Sequence, residues 1–218
     1  GLRSHVPAIP IISEETEMDK SASIKMINDE RRFWLVDPLD GTKGFINRTD
    51  EFCVCIGFVE DGVAKDGFIF DPVNKISYIG LGGLGAFKEE NGKIEKINVR
   101  KTPESVSVFM SKNHKGGEGE IVDKIWENNQ KHFESSALKF CHIASGKADV
   151  YFRTNPTSLW DTAAGQAIVT AAGGKVVTFD SFEMKYVRDS LINPGFIVSS
   201  TEKLTEELIA GIVDAGIN

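Results

Sequence analysis

The stretch WLVDPLDGTKGF, Trp34 to Phe45, decides how the chain is read. An apolar run delivers two carboxylates, Asp37 and Asp40, and then breaks at once into Gly41-Thr42. Asp37 stands where a buried strand is expected to end. Pro38 has no N–H with which to continue a ladder, and Asp40-Gly41 is strong turn chemistry. Two acids held close on a rigid turn repel each other unless something positive lies between them, and that is usually a metal ion.

Working outward, Glu14-Glu15 follow the apolar run Ile9-Pro10-Ile11-Ile12, and Asp161 opens a helix of small residues in SLWDTAAGQAIVTAAGG. Alone, each has a plain reading. An aspartate at a helix start stabilises it by about 0.5–2 kcal/mol without any function, and Glu14-Glu15 is a charged strand end. Together with Asp37 and Asp40 they suit hard divalent cations, which take oxygen donors and waters. Histidine is nearly absent from these segments, which argues against zinc. Backbone N–H groups at Gly41–Phe45 and the Thr42 hydroxyl can cradle a phosphate beside the metals. Two metals and such a nest around one phosphate suit in-line attack by a metal-activated water.

The chain has 218 residues, enough for one sizeable core or two modest ones. A net charge of −7 argues against a nucleic-acid polymer or membrane surface as partner, but not against a small anionic substrate. No apolar stretch approaches the roughly 18 residues of a membrane-spanning helix. Cys53 and Cys55 alternate along a strand-like run and read as small core residues, not metal ligands, because no matching pair exists elsewhere. With Cys141 they form a sparse, odd set that suits a reducing, cytoplasmic compartment, with peripheral association at the inner membrane face left open.

The first half is strand-rich. Phe33–Val36, Phe52–Glu60, Val63–Phe70, Lys75–Ile79 and Gly85–Lys88 are separated by tight turn signals and predict an antiparallel meander. GLGGLGAF reads as a strand bend and not a nucleotide loop. The second half predicts strands at Val106–Met110, Asp149–Phe152, Gly174–Thr178 and Phe196–Ser199. Helices are expected at Gly119–Asn129, Ala137–Ser145, Asp161–Ala172 and Lys203–Ala215. Lys101-Thr102-Pro103 is the expected seam. The chain starts at Gly1, and GLRSHVPAIPIISEET reads like the inside of a domain, so a longer natural protein is expected.

WLVDPLDGTKGF resembles the W-x-[VI]-D-P-[LI]-D-G-T-x-x-F signature of the magnesium-dependent, lithium-sensitive inositol monophosphatase superfamily. LWDTAAGQAI resembles its second signature, W-D-x-A-A-G, and ISEE its upstream glutamate motif; the resemblance runs from about Ile9 to Ser199. Within the superfamily, SEE, DPLDGTKGFI, SSALKFCHIASGKADVYFR, LWDTAAG and LINPGF are most similar to bacterial 3'(2'),5'-bisphosphate nucleotidases. The resemblance implies a layered αβαβα sandwich, lacking its N-terminal helices here. An α+β metal-binding half, residues 1–103, would be followed by an α/β half, residues 104–218, that closes over substrate.

It further implies Mg²⁺ at two or more sites, held by Glu14, Asp37, Asp40, Asp161 and the Leu39 carbonyl. Thr42 would orient the attacking water with Glu14 close to it, which makes Glu14, Asp40 and Thr42 the catalytic candidates. Substrate would meet Gly41, Thr42, Asp161, the S-x-x-K pair Ser136 and Lys139, Arg153 of VY-x-R, and His114 of SKNH. From the residues alone, Lys139 offers a point charge and Arg153, at a strand end, a bidentate fork. Each also reads as an ordinary surface cation, and His114 as a plain loop histidine.

The implied reaction removes the 3'-phosphate of adenosine 3',5'-bisphosphate, giving AMP and phosphate and serving sulfur assimilation. The implied partner is this small phosphate ester, with a homodimer left open. The rivals are an inositol-1-monophosphatase and a non-catalytic nucleotide-binding fragment. One departure from the family pattern stands out: its N-terminal helical segment and a following D-x-[ST]-P-V-T-x-A-D aspartate have no counterpart here. An incomplete catalytic centre and an uncovered apolar face on the first sheet are therefore expected.

Overall fold

The period-two runs of the first half pair into one sheet. The computed structural model describes residues 4, 9–15, 19–101, 104–112 and 118–216. Strand β1 (Ile11–Ser13) lies parallel to β2 (Arg32–Asp40). An antiparallel meander follows in chain order: β3 (Cys53–Glu60), β4 (Val63–Asp71), β5 (Ile76–Leu81), β6 (Gly85–Glu90) and β7 (Lys93–Ile97). GLGGLGAF is the β5–β6 hairpin, as its turn chemistry implies. Helix α1 (Lys20–Asp29), which the sequence reading did not identify, is capped by Asp19 and buries Ile27 against Phe33 and Leu35.

Pro38 does not end β2, and here the expectation fails. Asp37 pairs with Cys55 and Asp40 with Cys53, so three steps on β2 face two on β3. The extra residue is a bulge. It takes the proline, which has no N–H, out of the ladder and re-aims the side chains on either side. The short helix α2 (Thr42–Ile46) follows, entered through Gly41 at φ 90°, a left-handed conformation glycine adopts without strain.

The second sheet has the order β11 (Lys175–Thr178), β12 (Phe196–Ser199), β10 (Val150–Arg153), β8 (Val106–Met110) and β9 (Asn129–Phe133). The helix expected over Gly119–Asn129 stops at Ile125 as α3 (Glu118–Ile125). Of its expected tail, residues 126–128 form a connecting loop and Asn129 begins edge strand β9, whose polar sequence suits a partly exposed edge. The helix Asp161 was expected to open is divided: Leu159–Asp161 form a 3₁₀ turn, and α5 (Ala163–Ala171) follows. Helix α4 (Leu138–Ala144) packs beside α5, and α6 (Glu202–Asp214) closes the chain.

One hydrophobic cluster joins residues of both sheets, such as Ile69, Tyr78, Tyr151 and Val198, through Phe140 and Ile143 of α4 and Ile168 of α5. A second packs α3 and α6 on the outer face of the five-stranded sheet. The layers are therefore sheet, α4 and α5, sheet, α3 and α6, which is the βαβα part of the implied sandwich. On the outer face of the first sheet Trp34, Ile56, Phe58, Phe68 and Phe70 are half-buried, with the Trp34 and Phe58 rings 4.9 Å apart.

Helix α5 seats on the first sheet through a row of missing side chains. Gly57 pairs with Gly67, and Gly67 with Gly80, so three glycines cross three adjacent strands in register. A Cβ at Gly67 would stand 2.2 Å from the Ala164 carbonyl oxygen, and one at Gly80 would stand 2.5 Å from the Ile168 Cα. Backbone therefore meets backbone, and Asp161, just ahead of α5, is delivered to the end of β2.

Candidate active site

Three carboxylates converge there. Ligand oxygens of Asp37, Asp40 and Asp161 all lie within 4.8 Å of one another. Each is held by backbone N–H groups. Leu39 N donates to Asp37 Oδ1 at 2.8 Å across the bulge, and Ser158 N donates to Asp161 Oδ2 at 2.8 Å in a capping box. Ala137 N donates to Asp40 Oδ2 from the loop ahead of α4.

The cluster carries uncompensated charge. Burial, then the charges of Asp40, Glu14 and Asp161, push Asp37 up to about 8 against the Leu39 N–H. Burial and Asp40 push Asp161 up to about 7. Asp40 is also raised by burial, although Lys139 and the Ala137 N–H pull it back. A cation among the three reverses each of these shifts by favouring the ionised form. The donor set is all oxygen, and it fits a hard divalent metal.

Glu14 follows β1, where its N–H donates to the Val36 carbonyl at 3.2 Å. Its side chain is exposed at the rim, and its charge reaches Asp37 and Asp161. The Leu39 carbonyl accepts from the Thr42 hydroxyl at 3.2 Å, so these two candidates touch each other.

Lys139 is not a surface lysine. It is 2% exposed, and its Nζ donates to the carbonyls of Glu134, at 3.1 Å, and Ser136. Burial pulls its pKa down, while Asp40 and Glu134 hold it up. Ser136 has φ 67° in the loop that wraps this ammonium. Arg153, the last residue of β10, donates to Ser111 Oγ at 2.9 Å, and its Nε is buried without a partner. These three residues form a common wall. On one side a cavity of about 130 Å³ reaches Asp40 and Asp161. On the other a cavity of about 290 Å³ is lined by Gly41, Thr42, Lys43, Ser111 and Lys112. His114 lies outside the described residues.

Several supporting residues escaped the sequence reading. Glu51 accepts from Lys112 and from Ser135 N, tying the start of β3 to the loop that carries Ser136. Asn193 Nδ2 donates to the Ser158 carbonyl at 2.6 Å and to Thr162 Oγ1 at 3.0 Å, bracing the turn of Asp161. Asn193 sits in LINPGF, so a signal was present; Glu51 had none beyond its place before an apolar strand.

The sequence pattern of the inositol monophosphatase family matches residues 1–216. The 3'(2'),5'-bisphosphate nucleotidase CysQ of Salmonella typhimurium is 41% identical over 201 residues, covering 91% of this chain and 79% of that protein. The Escherichia coli K12 CysQ is 39% identical over the same shares. Among solved structures, CysQ from Bacteroides thetaiotaomicron superposes with a TM-score of 0.81 at 35% identity, over 88% of this chain and 77% of that one. An inositol monophosphatase from Anabaena superposes with a TM-score of 0.78 at 26% identity, over 98% and 81%. With both signatures and the acid cluster in place, the chain belongs to the inositol monophosphatase family.

Proposed function

We propose that this chain is a Mg²⁺-dependent 3'(2'),5'-bisphosphate nucleotidase that converts adenosine 3',5'-bisphosphate to AMP and phosphate. One observation carries the reading: the acid cavity and a cation-lined cavity share Ser136, Lys139 and Arg153 as their wall. A substrate with two phosphates can place one at the acids and the other at the cations.

Asp37, Asp40 and Asp161, with the Leu39 carbonyl and Glu14 at the rim, would hold the metal. Bound Mg²⁺ supplies Lewis-acid stabilisation of phosphoryl oxygens and acidifies water. The Thr42 hydroxyl and the Glu14 carboxylate would orient the attacking water. Gly41 and Thr42 line the cation-lined cavity, where their N–H groups would help hold the second phosphate. Arg153 presents a fork to the second phosphate, and Lys139 a point charge already stripped of most of its water. Residues 1–103 thus bring three of the four acids, and residues 104–218 bring Asp161 and the phosphate-binding cations. Free, buried cysteines support a reducing, cytoplasmic setting.

The test is phosphate release from adenosine 3',5'-bisphosphate and from inositol 1-phosphate, with and without Mg²⁺, using Asp40→Asn as control. Selective Mg²⁺-dependent release from the nucleotide is expected. Preference for the inositol ester would replace the reading with an inositol monophosphatase. Silence with both would leave a nucleotide-binding role.

A further inference from the structure

Cys53 and Cys55 are fully buried on one face of β3, as a core reading requires. Their placement has a second property. The two sulfurs are 3.7 Å apart, and Cys53 Sγ is 3.6 Å from Asp40 Oδ2. Ligand atoms of all three residues lie within 4.8 Å of one another. In tetrahedral coordination, two thiolates at roughly 2.3 Å from zinc stand roughly 3.8 Å apart, and a thiolate and a carboxylate oxygen roughly 3.5 Å. The two distances match two of the three ligand–ligand edges, and the third, Asp40 to Cys55, lies within 4.8 Å. The β2 bulge is what brings this about, because the slipped register sets Asp40 directly across from Cys53.

We propose that Asp40, Cys53 and Cys55 form a site for a thiophilic divalent cation such as Zn²⁺ or Cd²⁺, separate from the hard-metal cluster but sharing Asp40 with it. Soft thiolates select ions that an all-oxygen set does not. Asp40 lines the acid cavity and Cys53 lies directly behind it, so an ion entering from that cavity meets this carboxylate first. On coordination each thiol releases its proton to solvent and forms a metal–sulfur bond; no electron is transferred.

Binding at this site does not depend on the phosphatase reading. Its consequence does: Asp40 engaged with a soft ion is withdrawn from the hard-metal cluster, so trace Zn²⁺ or Cd²⁺ inhibits turnover.

The experiment titrates the full chain with Cd²⁺ and follows thiolate-to-metal charge-transfer absorption in the ultraviolet. Metal per chain is counted by equilibrium dialysis. One Cd²⁺ with a two-thiolate band is expected. Cys55→Ser should weaken it by roughly a hundredfold or more, and Cys141→Ser should leave it unchanged. Cys53→Ser should match Cys55→Ser; if it fails to fold, the correctly folded Cys55→Ser decides, with its circular dichroism as control. No band in the unsubstituted chain, or an undiminished band in Cys55→Ser, overturns the site. A band without phosphatase activity upholds the site and rejects the enzyme reading; activity without a band does the reverse. In the active chain, Cys55→Ser should turn over with Mg²⁺ as before and resist Cd²⁺.

Discussion

Asn193 Nδ2 stands 2.6 Å from the Ser158 carbonyl, and that contact braces the turn whose N–H in turn holds Asp161. Thr162 Oγ1, 3.0 Å from the same amide, also meets the Tyr186 hydroxyl, which donates to Gln166. One of the three clustered carboxylates therefore rests on a buried polar network. Asn193→Ala leaves Ser158 and Thr162 short of a donor, at an expected cost of about 1–3 kcal/mol in denaturant unfolding. It should also raise the Mg²⁺ concentration needed for half-maximal activity, which a purely global loss of stability would not do.

Metal-free stability should fall as pH rises. Asp37 at about 8 and Asp161 at about 7 both stand above the 3.8 of an unfolded aspartate. Between these limits the folded chain binds more protons than the unfolded one. The stabilising contribution is complete below about pH 4 and is lost as pH climbs through the folded values. Thermal unfolding at pH 5 and pH 8 should show a lower Tm at pH 8 without metal, and Mg²⁺ should restore most of the difference. A metal-free Tm that rises over this window would remove the account of the cluster as uncompensated charge.

Arg153→Lys keeps a cation but loses the fork and the Ser111 contact. We expect kcat/KM for the bisphosphate to drop by about tenfold or more, equivalent to about 1.4 kcal/mol. Hydrolysis of a monophosphate should change much less. Equal losses on both substrates would place Arg153 at the reacting phosphate.

Two glycines should respond oppositely to the same substitution. Gly67→Ala forces a Cβ to 2.2 Å from a helix carbonyl and should destabilise by about 1–3 kcal/mol or more. Gly119→Ala, in α3 with nothing within 4 Å of the new methyl, should stabilise by about 0.5–1 kcal/mol. Unfolding midpoints of the two variants decide both.

Local chemistry made much of this legible. Alternation in Cys53–Glu60 and Val63–Asp71 marked strands whose inward residues are buried, and Asp37, Asp40 and Asp161 were readable from the turn, the helix start and the family signatures. What escaped was decided across the chain. Edge strands Lys93–Ile97 and Asn129–Phe133 carry polar sequences because an edge need not bury both faces. Lys139 looks like a surface lysine until a loop from one direction and Tyr151 from another close around it, with Nζ 5.1 Å from the ring. The meeting of Asp40 with Cys53 depends on a one-residue slip beside Pro38, and composition carries no trace of register.

The glycine row under α5 acts as a mechanical stop. Side-chain packing can be rearranged by changing rotamers, but two backbones in contact have no such freedom. The separation between Asp161 and the acids of β2 is thus referenced to main-chain thickness. Hydrophobic residues elsewhere in the core can be exchanged without resetting that gauge, whereas one methyl in the trough would move the carboxylate itself.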